Sequence, residues 1–413
     1  MKIKLTIVLI SISSCLISYG QTSLSATNAV IIALENNYQV TIATKQQRIS
    51  EINNTWGEAG LYPTVSLTVG NNNTIQDNTN NPFTFTPGII LSQSINPSLT
   101  SNWNIFSGFA VRISKARLTQ LEAQSSNNSM AVMENTIQDV LKAYYTVQLQ
   151  KERKNLFQSV MDLSRDRYSY FQLKEKYSHS TSLELLQFRN QYLTDSTNFL
   201  LQEISYENSI RNLKILMNVT DSVTYELTDE LDLAVREVEL ENAKENLFSN
   251  NSNIKNQYIG LELQKTNTAF QRSFLYPTLS LQMGVSPGWS WIKEIKDNAF
   301  EAETTNLMYY GNLSLRYTIF NNWKTKRAIE VSKIQEEISL LNIESMKSTL
   351  ASTLESLINL YEVRVSLVNV SQENASYANQ ALVLAGKRFD LGTINSIDLS
   401  SFQNTYQNTM LRH

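Results

Sequence analysis

The apolar positions of this chain change their period in the same order in each half. Ser25 is suited to cap a helix, and the segment ATNAVIIALENNYQVTIATKQQRISEINNTWGEA that follows keeps helical spacing to Ala59. Pro63 is expected to end this pattern, because proline has no amide hydrogen and pushes Tyr62 toward extended geometry. Past the proline the period falls to two, with Val65, Leu67 and Val69 alternating with Thr64, Ser66 and Thr68. A polar loop, NNNTIQDNTNNP, leads to a returning strand. From about Phe109 to Tyr177 the spacing is helical again without a proline, and after a short turn a further helix runs from Leu183 to Met217.

The second half repeats this order. A helix over Glu241 to Arg272 precedes Pro277. Leu279, Leu281, Met283 and Val285 then alternate with Thr278, Ser280, Gln282 and Gly284. The returning strand places Leu313, Leu315, Tyr317 and Ile319 on one face and Asn312, Ser314, Arg316 and Thr318 on the other. A helix from about Trp323 to Leu391 follows. Its seam, Leu350, Leu354, Leu357, Tyr361, Val365 and Val368, steps by four and three, as do Val140, Ala143 and Val147 earlier. LYPTVSL at Leu61 and LYPTLSL at Leu275 stand 214 residues apart. At the same offset Ala29 maps to Ala243, Asn36-Asn37 to Asn250-Asn251, and Trp103-Asn104-Ile105-Phe106 to Tyr317-Thr318-Ile319-Phe320. Ser182-Leu183-Glu184-Leu185 likewise maps to Ser396-Ile397-Asp398-Leu399, and Phe188, Asn190 and Tyr192 to Phe402, Asn404 and Tyr406. So long a period is no solenoid. It predicts an internal two-fold repeat, 21–217 and 241–413, joined by an acidic linker over 218–240 that reads as a solvated connector.

Each strand pair thus has one oily and one wet face, which suits either a half-buried soluble sheet or a membrane barrel. Three features favour the barrel. The first twenty residues, MKIKLTIVLISISSCLISYG, read as an export signal cleaved after Gly20; lipoprotein processing at Cys15 is the rival, opposed by the apolar residues after the cysteine. Aromatic residues stand at the strand ends (Tyr62, Tyr276, Trp103, Phe106, Phe320), and long polar loops lie on one side only. Four strands cannot close, and open edges are not tolerated in lipid, so the chain must oligomerise to eight strands as a dimer or twelve as a trimer. About seventy residues of helix reach roughly 105 Å, far beyond a membrane core.

Composition narrows the function. With 413 residues, 42% hydrophobic and 18% charged, the chain is an ordinary folded protein, and 12 glycines and 6 prolines suit long helices. A net charge of −3 offers no field for nucleic acid. No later run of about 18 apolar residues predicts a spanning helix. The only histidines, His179 and His413, cannot build a metal cluster or a triad. Glu336-Glu337 reads as a solvated face, no glycine-rich phosphate loop follows a strand, and the methionines are scattered. No catalytic residue, metal or cofactor is expected.

Over nearly its full mature length the chain resembles the TolC-type outer-membrane efflux proteins (outer membrane factors). The resemblance rests on the duplicated order of helix, LYPT, strand, loop, strand, long helix, turn and helix. It rests also on the AxxxAxxNN opening from Ala29 to Asn37 and on KRFDLGTINSIDL from Lys387 to Leu399. It implies a mainly α fold with membrane β. Four strands per chain would join a trimeric 12-stranded outer-membrane β-barrel, and the helices would form a periplasmic barrel in a Gram-negative bacterium. It implies the passive duct of a tripartite efflux or type I secretion system, working with a periplasmic adaptor and an inner-membrane pump. Tyr62-Pro63 and Tyr276-Pro277 would then mark membrane entry. The adaptor-facing tips would be Ser178-His179-Ser180-Thr181 and Gly392-Thr393-Ile394-Asn395. Asp398, with Glu184 as its counterpart, would form the acidic pore constriction; Ser401 departs from members carrying a second acid there. The plain alternative for both carboxylates is a solvated or capping residue near a helix start. By the repeat, the second half is expected to be truncated in its last helix, about 18 residues short of the counterpart of Met217. The competing function is an exported coiled-coil tether without a pore.

Overall fold

The computed structural model describes residues 22–177, 182–220, 225–229, 231 and 238–411. The leader with Cys15, the first tip turn Ser178-His179-Ser180-Thr181, much of the acidic linker and His413 lie outside the described residues. In chain order the elements are β1 (Thr22–Leu24), α1 (Ala26–Asn36), α2 (Tyr38–Asn53), β2 (Thr64–Asp77), β3 (Ile89–Ser107), α3 (Ala110–Lys176) and α4 (Ser182–Met217). Then come β4 (Tyr225–Leu227), α5 (Leu240–Asn250), α6 (Ser252–Ser273), β5 (Thr278–Glu294), β6 (Glu301–Arg316), α7 (Lys324–Asp390) and α8 (Ser396–Met410). The chain forms two compact units. One comprises the described residues up to Ile42, Ala131–Lys244 and Ser352–His413; the other comprises Ala43–Met130 and Glu245–Ala351.

The long helices start and stop within a residue of expectation, but the opening helices do not run unbroken. Asn37 turns extended (ψ 130°) and ends α1, its amide donating to the Ala33 carbonyl. Its side-chain oxygen then accepts from the amides of Gln39 (2.8 Å) and Val40 (3.4 Å) and so starts α2. Asn251 does the same between α5 and α6, accepting from Asn253 (3.0 Å) and Ile254 (3.1 Å). The Asn-Asn pairs that match at the 214-residue offset therefore sit at two helix breaks of one kind, which helical spacing alone could not reveal.

Three further expectations are corrected. Pro63 does not stop the first helix. α2 ends ten residues earlier, and a turn over residues 55–60 intervenes, closed by Gly60 at φ +86°. Pro277 follows α6 more closely, and both prolines stand immediately before a strand, where their missing donor costs nothing. The Asn-rich stretch 71–77 is not loop: it extends β2, its backbone paired with β3 as far as Asp77↔Ile89. β6 ends at Arg316, so Tyr317 and Ile319 fall outside the strand.

In the first unit, β4 lies within the expected connector and pairs in parallel with β1 through Leu24↔Leu227. Around this ribbon Leu24, Ala29, Ala33, Val140, Tyr144, Val147, Leu213 and Met217 form the buried core. Ala29 and Ala33 are completely covered, because small residues let α1 lie close on its neighbours. Asn37 Nδ2 donates to the Leu216 carbonyl (2.8 Å) and Asn218 Nδ2 to the Asn36 carbonyl (3.0 Å), clamping the ends of α1 and α4 together. The seam of α7 is less covered than that of α3: Leu357 and Tyr361 are exposed.

In the second unit, β2, β3, β5 and β6 form one antiparallel sheet in that order. The first hairpin has the register Thr64↔Asn102 and the second Thr278↔Arg316, so both partners shift by 214 residues together. The β3–β5 ladder is interrupted between Ile95↔Trp289 and Leu99↔Val285, where Pro97 and Pro287 supply no donors. Ser286 Oγ donates to the Pro97 carbonyl at 3.4 Å.

Replacing Asn37 by alanine removes a helix cap and also the bond to α4, whereas Asn251→Ala removes a cap alone. Thermal unfolding of the solubilised protein should show a loss of about 1 kcal/mol for Asn251→Ala and distinctly more for Asn37→Ala. Equal effects would contradict the clamp.

Candidate functional site: a two-faced sheet and a helix tip

Register assigns every sheet residue to a face. One face carries Val65, Leu67 and Val69 from β2, Leu279, Leu281, Met283 and Val285 from β5, and Leu307, Tyr309, Leu313 and Leu315 from β6. The other carries Thr64, Ser66 and Thr68, then Ser280, Gln282 and Ser286, then Asn306, Asn312 and Ser314. The apolar side chains of the outer strands β2 and β6 are exposed, with Val65, Leu67 and Val69 at 66%, 70% and 63%, while Leu279, Leu281 and Val285 of the inner strand β5 are half-buried. From Leu279 to Pro287 this face is apolar for nine consecutive strand positions, within the roughly 9–11 residues that a tilted strand needs to cross a bilayer. On β2 the run is shorter, since Asn71 and Asn73 share the face.

Aromatic residues bound the band. At the end nearest the helices, Trp103 Nε1 donates to the Leu61 carbonyl at 2.9 Å, and Tyr276 meets Phe109 edge-on with ring centroids 5.8 Å apart. The four LYPT residues Tyr62, Pro63, Tyr276 and Pro277 therefore lie where helix passes to strand. At the far end Trp291 donates to Glu301 at 2.8 Å, and Trp289 donates to Glu303. On the polar face Tyr310 reaches across Gly284 to Thr100, with oxygens 3.0 Å apart. A Cβ at Gly284 would lie 2.5 Å from the tyrosine oxygen, so this crossing requires glycine.

The described tip belongs to the first unit. Gly392 adopts φ +71° and ends α7, its amide donating to Phe389 (2.9 Å) while that of Thr393 reaches Arg388 (2.9 Å), a pairing that satisfies the last carbonyls of the helix. Ile394 is half-buried against Leu382, Ala385 and Leu399. Asn395 caps α8 by accepting from the Asp398 amide at 2.9 Å. Asp398 itself is exposed in the first turn of α8, and Glu184 is half-buried in the first turn of α4. Ser396, at the start of α8, ties that helix to the second turn of α4 by donating to Gln187 at 2.8 Å. Phe171 and Phe188 stack behind them with ring centroids 4.2 Å apart, and Phe389 meets the first tilted and the second edge-on.

Deeper in this unit lies a polar cluster that sequence reading missed. Asp195 on α4 is 2% exposed, and it accepts from Gln191 (3.1 Å), Gln403 of α8 (3.4 Å) and Ser164 of α3. Gln403 also donates to Ser164 at 3.1 Å and accepts from Arg167. Burial pushes the Asp195 carboxyl up from its ordinary value, against the Ser164 and Gln191 hydrogen bonds and the Arg167 charge. Burial likewise lowers Arg167, opposed by the charges of Asp390 and Asp195. A signal existed: Asp195 takes a seam position in the series Phe188, Tyr192, Asp195, Phe199, where helical spacing calls for an apolar residue.

Among the described residues no helix is long and apolar enough to cross a membrane, and no group of three His, Cys, Asp or Glu residues could hold a metal ion. Residues 244–413 match the family model described as outer membrane efflux protein. In structure the chain is similar to the CmeC outer membrane channel of Campylobacter jejuni (TM-score 0.71, 16% identity, covering 94% of this chain and 81% of that one). It is similar to CusC (0.71, 15%, 94% and 87%) and to the outer membrane protein VceC of Vibrio cholerae (0.69, 11%, 94% and 91%). At these identities the structures share the fold. No curated protein matches the chain.

Because the folded state raises the Asp195 pKa, it binds a proton more readily than the unfolded chain, and stability falls as pH rises from the ordinary carboxylate value through the raised one. Asp195→Asn should abolish that fall in pH-dependent unfolding and be no less stable at neutral pH. Asp195→Ala, which strands Gln191 and Gln403, should lose about 1–3 kcal/mol. A neutral-pH loss in Asp195→Asn as large as in Asp195→Ala would overturn this reading.

Proposed function

We propose that this chain, TolC-like in fold and matched over residues 244–413 to the outer membrane efflux proteins, is the outer-membrane channel of a tripartite efflux or type I secretion system. It is a passive duct in a Gram-negative outer membrane, formed by three copies whose twelve strands close a barrel and whose helices extend into the periplasm. The observation that carries this reading is the sheet: one largely apolar face, about a bilayer deep on β5 and bounded by aromatics, with β2 and β6 each paired on one side only among the described residues. A tethering protein would have no use for such a face. The structurally similar CmeC is described as an outer membrane channel, which agrees.

In this assembly LYPT marks where each half enters the membrane. The segment 178–181 between α3 and α4, and the turn Gly392–Asn395, are the ends that meet a periplasmic adaptor, which in turn joins the duct to an inner-membrane pump. Asp398 and Glu184 stand at the first turns of helices that begin at these ends, so three copies would set carboxylates in rings around the pore, favouring cations.

Cross-linked protein extracted from fractionated outer membranes should run at trimer mass and conduct in planar bilayers. Asp398→Ala should widen conductance and weaken cation preference. A soluble periplasmic monomer would refute the channel and favour the tether; a trimer whose selectivity ignores Asp398→Ala would remove only the constriction.

A further inference from the structure

The second unit contains one completed joint between strand pairs, β3 against β5, and two uncompleted edges, β6 and β2. At the completed joint β3 continues through Trp103↔Leu281 and Asn104↔Ser280, bulges at Ile105, and resumes at Phe106↔Leu279 and Ser107↔Thr278. The chain then turns through Gly108 (φ +62°) and Phe109 (φ +69°) into α3, with Phe106 and Phe109 edge to face at 5.3 Å.

The segment after β6 is built in the same way at the 214-residue offset, but it pairs with no strand among the described residues. Tyr317-Thr318-Ile319-Phe320 stands where Trp103-Asn104-Ile105-Phe106 stands. Asn322 (φ +54°) and Trp323 (φ +59°) repeat the left-handed turn, and Phe320 meets Trp323 edge to face at 6.0 Å. Left-handed backbone is costly for an aromatic residue, so its recurrence marks a shape held in common, not a chance turn. Yet β6 stops at Arg316, and Ile319 is 90% exposed.

We infer that residues 317–321 complete β6 by pairing with residues 64–67 of a second copy of this chain, in the register of the β3–β5 joint. This rests on the channel reading and specifies its interface. The register pairs Tyr309 with Ile75, Leu315 with Val69, and Tyr317 with Leu67 of the neighbouring copy. Ile319 becomes the bulge, and Phe320 pairs with Val65. Trp323 then meets the neighbour's Tyr62 as Phe109 meets Tyr276 within the chain.

One substitution shows how this joint differs from the completed one. Gly108 lies so close to α6 that a Cβ there would fall 2.2 Å from the Ser273 carbonyl oxygen. Its counterpart Asn322 has a Cβ, but on the facing side Gly60 (φ +86°) replaces Phe274 (φ −70°). The glycine has changed sides, which frees the loop at Ala59–Leu61 to move aside for Asn322.

Paired cysteines test the register. With Leu67→Cys and Tyr317→Cys in one chain, facing residues of adjacent copies lie within disulfide reach, and oxidation should give covalent trimers on denaturing gels; Ile75→Cys with Tyr309→Cys should do the same. Single-cysteine variants should denature to monomers, and the reduced double variants should remain trimeric in native mass, which excludes misfolding. If Val69→Cys with Tyr317→Cys, or Tyr309→Cys with Asn73→Cys, cross-links instead, the register is wrong while the channel stands. Native trimers that cross-link in none of these pairs also overturn the register. Absence of trimers in every form, including the unmodified protein, refutes the channel itself.

Discussion

In lipid, an amide or carbonyl without a partner has no water to turn to, and each one left open costs several kcal/mol. In the proposed channel the sheet would offer its apolar face to such a solvent, and among the described residues one side of β2 and one side of β6 are unpaired. The two would conflict in a single copy. Closure of the sheet by further copies would resolve the conflict, and the proposed function rests on that need. Within the sheet the same constraint appears on a small scale at Pro97 and Pro287, where the β3–β5 ladder is interrupted and Ser286 supplies a donor to one carbonyl.

The helical unit is governed by a different balance. Helices of 67 residues have too little apolar surface of their own to be held by one seam, and their stability comes from what lies against them. The middle of α3 is buried by α1, α4 and the β1–β4 ribbon. The matching stretch of α7 exposes Leu357 and Tyr361. Near the tip, the rings of Phe171, Phe188 and Phe389 pack together and join three helices, and the Asp195 cluster adds α8 through Gln403. That cluster is stabilised by directional bonds at the expense of a desolvated carboxylate, so it fixes which residues face one another more than it adds to stability.

Much of this was legible in the sequence, for identifiable reasons. The ends of α3, α4 and α7 followed from period and punctuation, and the two faces of the sheet followed from strict alternation at Val65–Val69 and Leu279–Val285. The helix breaks were hidden because Asn37 and Asn251 interrupt the backbone without disturbing the apolar spacing around them. The strand run through Asn71 and Asn73 was hidden because polar residues on a paired backbone read as loop. The Asp195 cluster joins positions 164, 195 and 403, which no local pattern connects. The β1–β4 pairing joins the two ends of the first half and is equally nonlocal. The expected exit of β6 at Ile319 differs from the structure at the place where a neighbouring strand would be required.

The central claim is that one face of the sheet meets lipid and the other meets water. Single nitroxide labels at positions 279 to 283, 285 and 286, with the protein in lipid vesicles, test it by collision with oxygen and with a water-soluble nickel chelate. The account predicts strict alternation, with Leu279, Leu281, Met283 and Val285 reached by oxygen and Ser280, Gln282 and Ser286 by the chelate. Equal access of the chelate to both sets would contradict it.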